Sequence, residues 1–98
     1  MSQISQDNFR QAINSTFTIE LNDQLFNLKL IECSDHTSKD VPDFERFSLL
    51  FESNGPLLQQ STYSLHHAEL GVNDLFLVPV HGDDDVFQYE AIINMMKK

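Results

Sequence analysis

Hydrophobic and polar residues alternate along most of this chain, with the period of two that is typical of half-buried β-strands. The alternation is clearest where Phe17, Ile19 and Leu21 are separated by polar residues. It recurs in five later segments, which are divided by stretches rich in Asn, Asp, Gly and Pro. The predicted strands cover about residues 16–22, 25–33, 46–53, 61–67, 74–80 and 86–94. Six short strands with turns between them predict a mainly β fold, a six-stranded antiparallel barrel or roll.

The first residues of the chain follow a helical period instead. Phe9, Ala12 and Ile13 fall on one face of a helix, and Ser5 is a suitable N-cap. We therefore predict one short N-terminal helix over about residues 5–13. So short a helix is not stable alone, and we expect it to dock on the sheet.

The remaining features complete the predicted domain. Residues 34–45 form the one long polar segment and are predicted to be a surface loop. Residues 75–80 are apolar on both faces, as expected of a central strand that is covered by the helix on one side and by the barrel interior on the other. Pro79 is expected near the end of this strand or at a bulge. The side chains predicted to be largely buried are Phe17, Ile19, Leu21, Phe26, Leu28, Leu49, Phe51, Leu65, Phe76, Val78, Tyr89 and Ala91. A chain of 98 residues has room for one core, so residues 1–98 are predicted to form a single domain.

The charge balance restricts the class of partner. The chain has 15 acidic and 6 basic residues, which gives a net charge of −9. This balance disfavours nucleic acid and anionic membranes, because binding to either requires lysine and arginine to neutralise phosphate. Cys33 is the single cysteine, and neither a signal peptide nor an apolar stretch of membrane-spanning length is recognisable. We therefore expect a soluble, cytoplasmic protein whose partner is another protein.

The residues that could support chemistry form no recognisable catalytic pattern. The strongest alternative is a rim that would bind a metal or small ligand, or carry out hydrolysis. Its residues would be His66, His67, His81 and Asp83. Zinc needs three or four converging ligands, whereas His66 and His67 would point to opposite faces of a continuing strand. No nucleophile signature surrounds Cys33. We therefore predict no catalytic residue, no metal site and no cofactor, and we expect that the protein is not an enzyme.

Five segments of the chain together match the pattern of a known family. They are Phe47–Phe51, Leu58–His67, Glu69–Gly71, Leu75–Val80 and Tyr89–Asn94. In this order they resemble a family of small bacterial proteins of unknown function, with the motifs F-S-L-x-F, L-x-Q-x-x-Y-x-L-x-H, L-G-x-x-x-L-F-L-V-P and Y-E-A-x-x-N. Ser61 and Ile93 stand where that family usually has Gly and Phe. Members are often encoded near phage tail-collar-like proteins, and the family offers no catalytic residues to transfer.

The sequence and the resemblance together favour a non-enzymatic interaction or structural module. The resemblance implies an accessory component of a phage-tail-like or secreted-particle assembly, with a tail-collar-like protein or another copy of the chain as the partner. An acidic inhibitor of a basic protein is a further alternative. The predicted partner contacts are Phe44, Phe47, Leu58, Tyr63, His66 and Glu69. The first four would form an apolar patch near strand ends, and Tyr63, His66 and Glu69 would cluster around a turn.

Overall fold

The computed structural model describes residues 6–36, 40, 44–54, 57–82 and 85–96. Its elements are α1 Gln6–Gln11, β1 Thr16–Leu21, β2 Gln24–Asp35, β3 Phe44–Ser53, β4 Ser61–His67, β5 Gly71–Gly82 and β6 Phe87–Met96. The strands are antiparallel to their neighbours and close a barrel in the order β1-β2-β3-β6-β5-β4. The predicted fold, a mainly β six-stranded antiparallel barrel with one short N-terminal helix, is confirmed. No helix in the described ranges has the length and apolar character that crossing a membrane requires.

The connections from α1 to β1 and from β1 to β2 both contain residues with positive φ. The turn that follows α1 contains Asn14 at φ 76°, where the left-handed conformation stops the helical path before β1 begins. Asn22 and Asp23, at φ 49° and 65°, form the two-residue turn between β1 and β2. Such a turn matches the twist of the two strands, and the predicted hairpin is therefore present. The predicted N-cap Ser5 lies outside the described residues.

Both ends of the barrel are closed by other parts of the chain. At the end where β1 begins, the buried ring of Phe9 on α1 lies 6.2 Å from the ring of Phe17 and 6.0 Å from that of Phe47. At the other end, the segment before β4 places Leu58 in the core, with 6% of its surface exposed. The barrel interior between them is filled by side chains, as expected for a barrel of so few strands.

Most of the predicted core is buried, but the assignment for β5 is wrong. The predicted residues that are buried are Phe17, Ile19, Leu28, Leu49, Phe51, Leu65, Tyr89 and Ala91, and Leu21 and Phe26 are half-buried against them. On β5, the buried residues are Leu75 and Leu77, whereas Phe76 is 49% exposed and Val78 is half-buried. The reason is that α1 packs at the barrel end instead of covering the outside of β5, so this strand has only one buried face.

The strand pairing has a bulge beside Pro79, which is one of the two locations expected for this proline, and the pairing is short at two places. Between β5 and β6 the register shifts between Pro79 and His81, so the proline lies at a bulge as expected. The seam between β1 and β4 pairs only Thr18 with His66 and Ile19 with Leu65. The pairing of β2 with β3 does not include the first five residues of β2.

Candidate functional site

Two of the predicted partner contacts lie inside the barrel. Phe47 is fully buried, and Leu58 is 6% exposed. Phe47 is on the inner face of β3, where its ring meets that of Phe9, and Leu58 packs into the core from the segment before β4. Neither side chain is on the surface, because each is needed to fill an end of the barrel.

The other predicted contacts do not form a single patch. Phe44, His66 and Glu69 are exposed, and all three lie at the barrel end that α1 closes. Tyr63 is the third residue of β4, toward the opposite end, and it shares the inner face with Leu65, whereas His66 points outward. Strand alternation therefore separates Tyr63 from His66, and the predicted cluster of Tyr63, His66 and Glu69 is wrong.

The histidines of the alternative metal or hydrolase rim are also far apart. His67 is paired with the first residue of β5, and His81 is the next-to-last residue of that strand. Ten residues of strand separate the two positions by about 30 Å. Within the described ranges no group of His, Cys, Asp and Glu side chains could hold a metal ion, and Asp83 lies outside those ranges. His66, His67 and His81 therefore do not share one rim.

His67 instead organises a chain of hydrogen bonds at the seam between β1 and β4. Its Nδ1 accepts the backbone N–H groups of Glu69 and Leu70, at 3.0 and 3.1 Å. Its Nε2 is 2.8 Å from Ser15 Oγ, and that hydroxyl donates to the backbone oxygen of Ala12. The imidazole thus joins the turn after β4 to the turn after α1.

The direction of these bonds decides what His67 can do chemically. Because Nδ1 accepts two backbone N–H groups, the ring proton must be on Nε2. That proton is donated to Ser15 Oγ, which in turn donates its own hydrogen to Ala12. A serine nucleophile needs the opposite arrangement, in which an unprotonated Nε2 accepts the hydroxyl proton and an acid orients Nδ1. The Ser15–His67 pair is therefore a structural contact between the turns.

His67 also contributes packing at the same place. Its ring lies 4.5 Å from the ring of Phe17, which is fully buried. The adjoining strand pairing between β1 and β4 is short, so few backbone bonds close the barrel there. The ring contact and the hydrogen-bond chain therefore reinforce the weakest junction of the described barrel.

Two tyrosines fix the segment that closes the other end. The Leu58 N–H donates to Tyr89 Oη at 2.9 Å in a buried position. Tyr63 Oη donates to the backbone oxygen of Gln59 at 2.6 Å, in the manner of a tyrosine corner. Burial raises the pKa of Tyr89, and the hydrogen bond from Leu58 acts in the opposite direction. In the described residues no buried side-chain nitrogen or oxygen lacks a hydrogen-bond partner.

Cys33 has the environment of an unreactive thiol. It lies on β2 and is half-buried, with Sγ 4.0 Å from the backbone oxygen of Gln6 on α1. Burial is the main cause that raises the pKa of this thiol, and the positive charge of Arg10 only partly opposes it. Because the thiolate is the nucleophilic form, a raised pKa disfavours nucleophilic chemistry at this residue.

One outward face of the sheet is unusually apolar. On β3, β6 and β5, Leu50, Glu90 and Val78 are directly opposite one another. Ile92 and Phe76 lie two residues from this row on the same side of the sheet, with 44% and 49% of their surface exposed. These five residues are called the outer apolar face below. The sequence pointed to an apolar patch in this protein, but at strand ends and not here.

The comparison with protein families is informative at the level of membership alone. A family model described as a domain of unknown function, DUF6916, matches residues 4–93. The chain belongs to this family. No curated protein and no solved structure matches the chain. The description of DUF6916 assigns no activity and no residue roles.

The structural role of His67 could be predicted only in part from the sequence of this DUF6916 domain. Its position two residues after Leu65 indicates the inner face of β4, which separates it from His66. The signal for its bonds to Glu69 and Leu70 was their short distance in sequence, as in other turns capped by a side chain. Its partner Ser15 is 52 residues away, and nothing in the local pattern indicates that contact.

Proposed function

We propose that this DUF6916 domain is a non-enzymatic protein-interaction module that binds its partner through the outer apolar face. The observation that carries the proposal is the exposure of Phe76 and Ile92 on adjoining strands, on the side of the sheet that α1 does not cover. A large exposed side chain on a strand loses contact with water when another surface covers it, and this is the main favourable term in association.

The charge at the centre of the face favours a partner of a different kind from this chain. Glu90 lies between Leu50 and Val78, so a symmetric contact between two such faces would bring two glutamates close together. Like charges that are placed together at an interface oppose association. A basic partner, with apolar residues around a lysine or arginine, would instead pair with Glu90, in agreement with the net charge of −9.

The family resemblance supports a structural setting for this contact. Proteins with this pattern are often encoded near phage tail-collar-like proteins, so the proposed partner is a component of a phage-tail-like or secreted particle. A small closed barrel with one adhesive face would serve there as an accessory subunit. The hydrogen bonds of His67 and Tyr89 support the same view, since each polar group already has a structural role inside the fold.

The test is recovery of partners from the cell that encodes the protein. Wild-type protein and the double variant Phe76→Ser/Ile92→Ser would be expressed at equal levels, and bound proteins would be identified by mass spectrometry. Val72→Ser is the matched control, because Val72 is 53% exposed on the same side of β5 but about 13 Å from Phe76 along the strand. Glu90→Lys tests the charge separately.

We expect one discrete protein to be recovered with the wild type and with Val72→Ser, and to be lost with the double variant. Glu90→Lys should weaken its binding, and the wild-type complex should be weaker at high salt because part of the attraction is ionic. If the double variant recovers the same protein at the same level, the outer apolar face is not the binding surface. A stoichiometric metal ion or metabolite recovered in place of a protein would favour the ligand-binding alternative.

A further inference from the structure

The second half of β6 has a neighbouring strand on one side only, among the residues that the structure describes. The pairing of β6 with β3 is continuous from Phe87 to Met96, with no shift of register. Its pairing with β5 ends at Glu90, which lies opposite Val78. Residues 91–96 therefore pair with β3 alone in the described part of the chain.

β5 leaves β6 at this point because it changes its partner. Its first seven residues, Gly71–Leu77, pair with β4, and its pairing with β6 begins only at Val78. A strand that exchanges one neighbour for another in this way forms a corner between two sheets. Phe76 and Ile92 would be the next outward pair of the β5–β6 ladder, but they are not paired, and they are 49% and 44% exposed. A backbone edge is therefore left beside the end of β6.

A hydrogen bond to β3 shows which groups of β6 point to this edge. His36 follows β2, and its N–H donates to the Arg46 oxygen at 2.7 Å, so the backbone groups of Arg46 point toward β2 and away from β6. Asn94 is directly opposite Arg46, and in an antiparallel pair its own N–H and C=O then point away from β3. Ile92 and Glu90 follow the same alternation, which agrees with the pairing of Glu90 to β5 on that side.

This edge lacks the features that usually protect an exposed strand. Residues 91–96 contain no proline and no charged side chain, and their pairing with β3 has no bulge. Ile92 and Asn94, whose backbone groups point to the edge, are both exposed. An open edge of this length can accept an extended segment of another protein as an additional strand.

We propose that the partner adds an extended strand to this edge, antiparallel to β6. The strand ends opposite Ile92, because Leu77 and Val78 of β5 occupy the positions beside Ala91 and Glu90. Its residues opposite Ile92 and Asn94 each exchange two backbone hydrogen bonds with β6, so four bonds form. This inference rests on the proposed function, since Ile92 and Glu90 belong to the outer apolar face, and it adds how the partner is held there.

The charges beside the edge identify the chemistry of the added strand. β5 and β6 contain two carboxylates, those of Asp74 and Glu90, and no lysine or arginine. A side chain opposite Ile92 is diagonal to Glu90 on the same face, and a lysine or arginine there can reach the carboxylate while its aliphatic stem covers Ile92. The preceding residue lies beside Ile93, which is buried on the inner face, so an apolar residue is expected there. Residues 91–96 of a second copy offer no basic side chain, so the occupant is a different protein.

A synthetic peptide, acetylated and amidated Thr-Val-Thr-Val-Arg, is the probe. Added to isotope-labelled protein, it should bind with a dissociation constant on the order of 1 mM, and the largest NMR shifts should occur at the amides of Ile92 and Asn94. One control peptide has glutamate in place of arginine, and another has a methyl group on the backbone nitrogen of the arginine. Each should bind about tenfold more weakly, because one loses the charge pair and the other a backbone hydrogen bond. No shift at these amides with about 10 mM peptide would overturn the proposal.

Substitutions in the protein separate the backbone from the side chains. Asn94→Pro removes an N–H that points to the free edge and keeps the bonds with β3, so it should fold but bind the arginine peptide about tenfold more weakly. Asn94→Ala is the matched control and should bind as the wild type does. Equal binding by the two variants would overturn the proposal, and if Asn94→Pro does not fold, the methylated peptide decides the same point.

A charge exchange tests the predicted position of the basic residue. Glu90→Lys should weaken binding of the arginine peptide and strengthen binding of the glutamate peptide. Glu20→Lys is the control, because it makes the same change in net charge on β1, which lies three strands from β6 in either direction around the barrel. If both variants change binding equally, the basic residue does not lie beside Glu90, and the proposed register is wrong.

Hydrogen exchange tests the edge without peptide or substitution. In the protein alone the amides of Ile92 and Asn94 should exchange fast, whereas those of Ala91 and Ile93, which face β3, should be protected. Equal protection of all four amides would mean that the edge is already occupied, and it would overturn the proposal.

The partner recovered from the cell distinguishes this inference from the proposed function. Loss of that partner with Phe76→Ser/Ile92→Ser but not with Asn94→Pro would support the outer apolar face and refute the added strand. Loss with both variants, and not with Asn94→Ala, would support both. Recovery with the double variant would refute the proposed function, and this inference would fall with it.

Discussion

The two tyrosines of the protein provide a matched test of how the barrel end is closed. Tyr89 Oη accepts the Leu58 N–H in a buried position, whereas Tyr63 Oη donates to the Gln59 oxygen at an exposed one. Replacement of either tyrosine with phenylalanine removes one oxygen atom and leaves the ring in place. Any difference in stability between the two variants therefore reports the surroundings of the hydrogen bond.

The expected magnitudes follow from what each variant leaves behind. Tyr89→Phe leaves the Leu58 N–H buried without an acceptor, which costs about 1–3 kcal/mol in the free energy of unfolding. In a domain of this size each kcal/mol lowers the melting temperature by about 4–8 °C, so a decrease of about 5–20 °C is expected. Tyr63→Phe leaves a carbonyl that water can reach and should cost less than about 1 kcal/mol.

Urea unfolding followed by circular dichroism measures both variants on one scale. The free energy should decrease through the midpoint with an unchanged slope, because neither variant alters the surface that unfolding exposes. If Tyr63→Phe costs as much as Tyr89→Phe, the reasoning is wrong, since burial would then not decide the cost. The same result would show that Leu58 N–H has another acceptor or reaches water.

The raised pKa of Tyr89 adds a prediction at alkaline pH. A group whose pKa is higher in the folded than in the unfolded protein contributes stability that is complete below the unfolded pKa. That contribution is lost as pH rises through the folded pKa, so stability should fall above about pH 10. The chain has two tyrosines, so in Tyr63→Phe the absorbance of phenolate reports Tyr89 alone. Titration at or below the ordinary value for tyrosine would contradict the burial of its hydroxyl.

Three further predictions concern the seam, the β5 face and the thiol. His67→Phe keeps an aromatic ring but removes the acceptor of two backbone N–H groups, so the free energy of unfolding measured in urea should fall by about 1–3 kcal/mol. This decrease should be larger than that for Ser15→Ala, and the reverse order would contradict the capping role of His67. Leu77→Ala should lower the free energy of unfolding by about 2–5 kcal/mol and Phe76→Ala by less than about 1 kcal/mol, because of the two only Leu77 is buried. Equal decreases in thermal unfolding experiments would refute this assignment of the inner face of β5. Cys33 should react with a disulfide reagent at pH 8 more slowly than an unstructured cysteine peptide, because its raised pKa lowers the thiolate fraction; an equal or faster rate would contradict this.

The fold could be predicted because its strands carry their own pattern. Phe17 and Ile19 alternate with polar residues, and this fixes the inner face of β1 before any contact is known. Asn22 and Asp23 tolerate positive φ, which indicates the hairpin turn. Pro79 lacks a backbone donor, and this restricts it to a bulge or a strand end. These are local properties, and the sequence contains them directly.

The β5 face could not be assigned in the same way. Residues 75–80 are apolar at almost every position, so their pattern does not tell which side faces the core. The choice depends on where α1 packs, and this is a contact between distant parts of the chain. The prediction of Phe76 in the core placed the helix over β5, whereas α1 closes the barrel end near Phe17 and Phe47.

The polar contacts were beyond prediction for a related reason. Ser15 meets His67 only because β1 and β4 close the barrel, and Leu58 meets Tyr89 only because its segment crosses the other end. Both bonds join elements that are distant in sequence, and neither residue type is unusual in its position. Sequence patterns indicate where strands and turns occur, but which residues meet where the barrel closes depends on the order of all the strands.

Because side chains fill the barrel interior, we expect a partner to bind to the outside of the barrel. α1 and the segment of Leu58 occupy its two ends, and every buried side-chain nitrogen and oxygen in the described ranges already has a hydrogen-bond partner. The outer apolar face is the surface that the proposed partner would cover. Glu90 lies between Leu50 and Val78 on this face, so a second copy of the same face would bring two like charges together. We therefore expect the partner to be a different protein, with a lysine or arginine that can pair with Glu90.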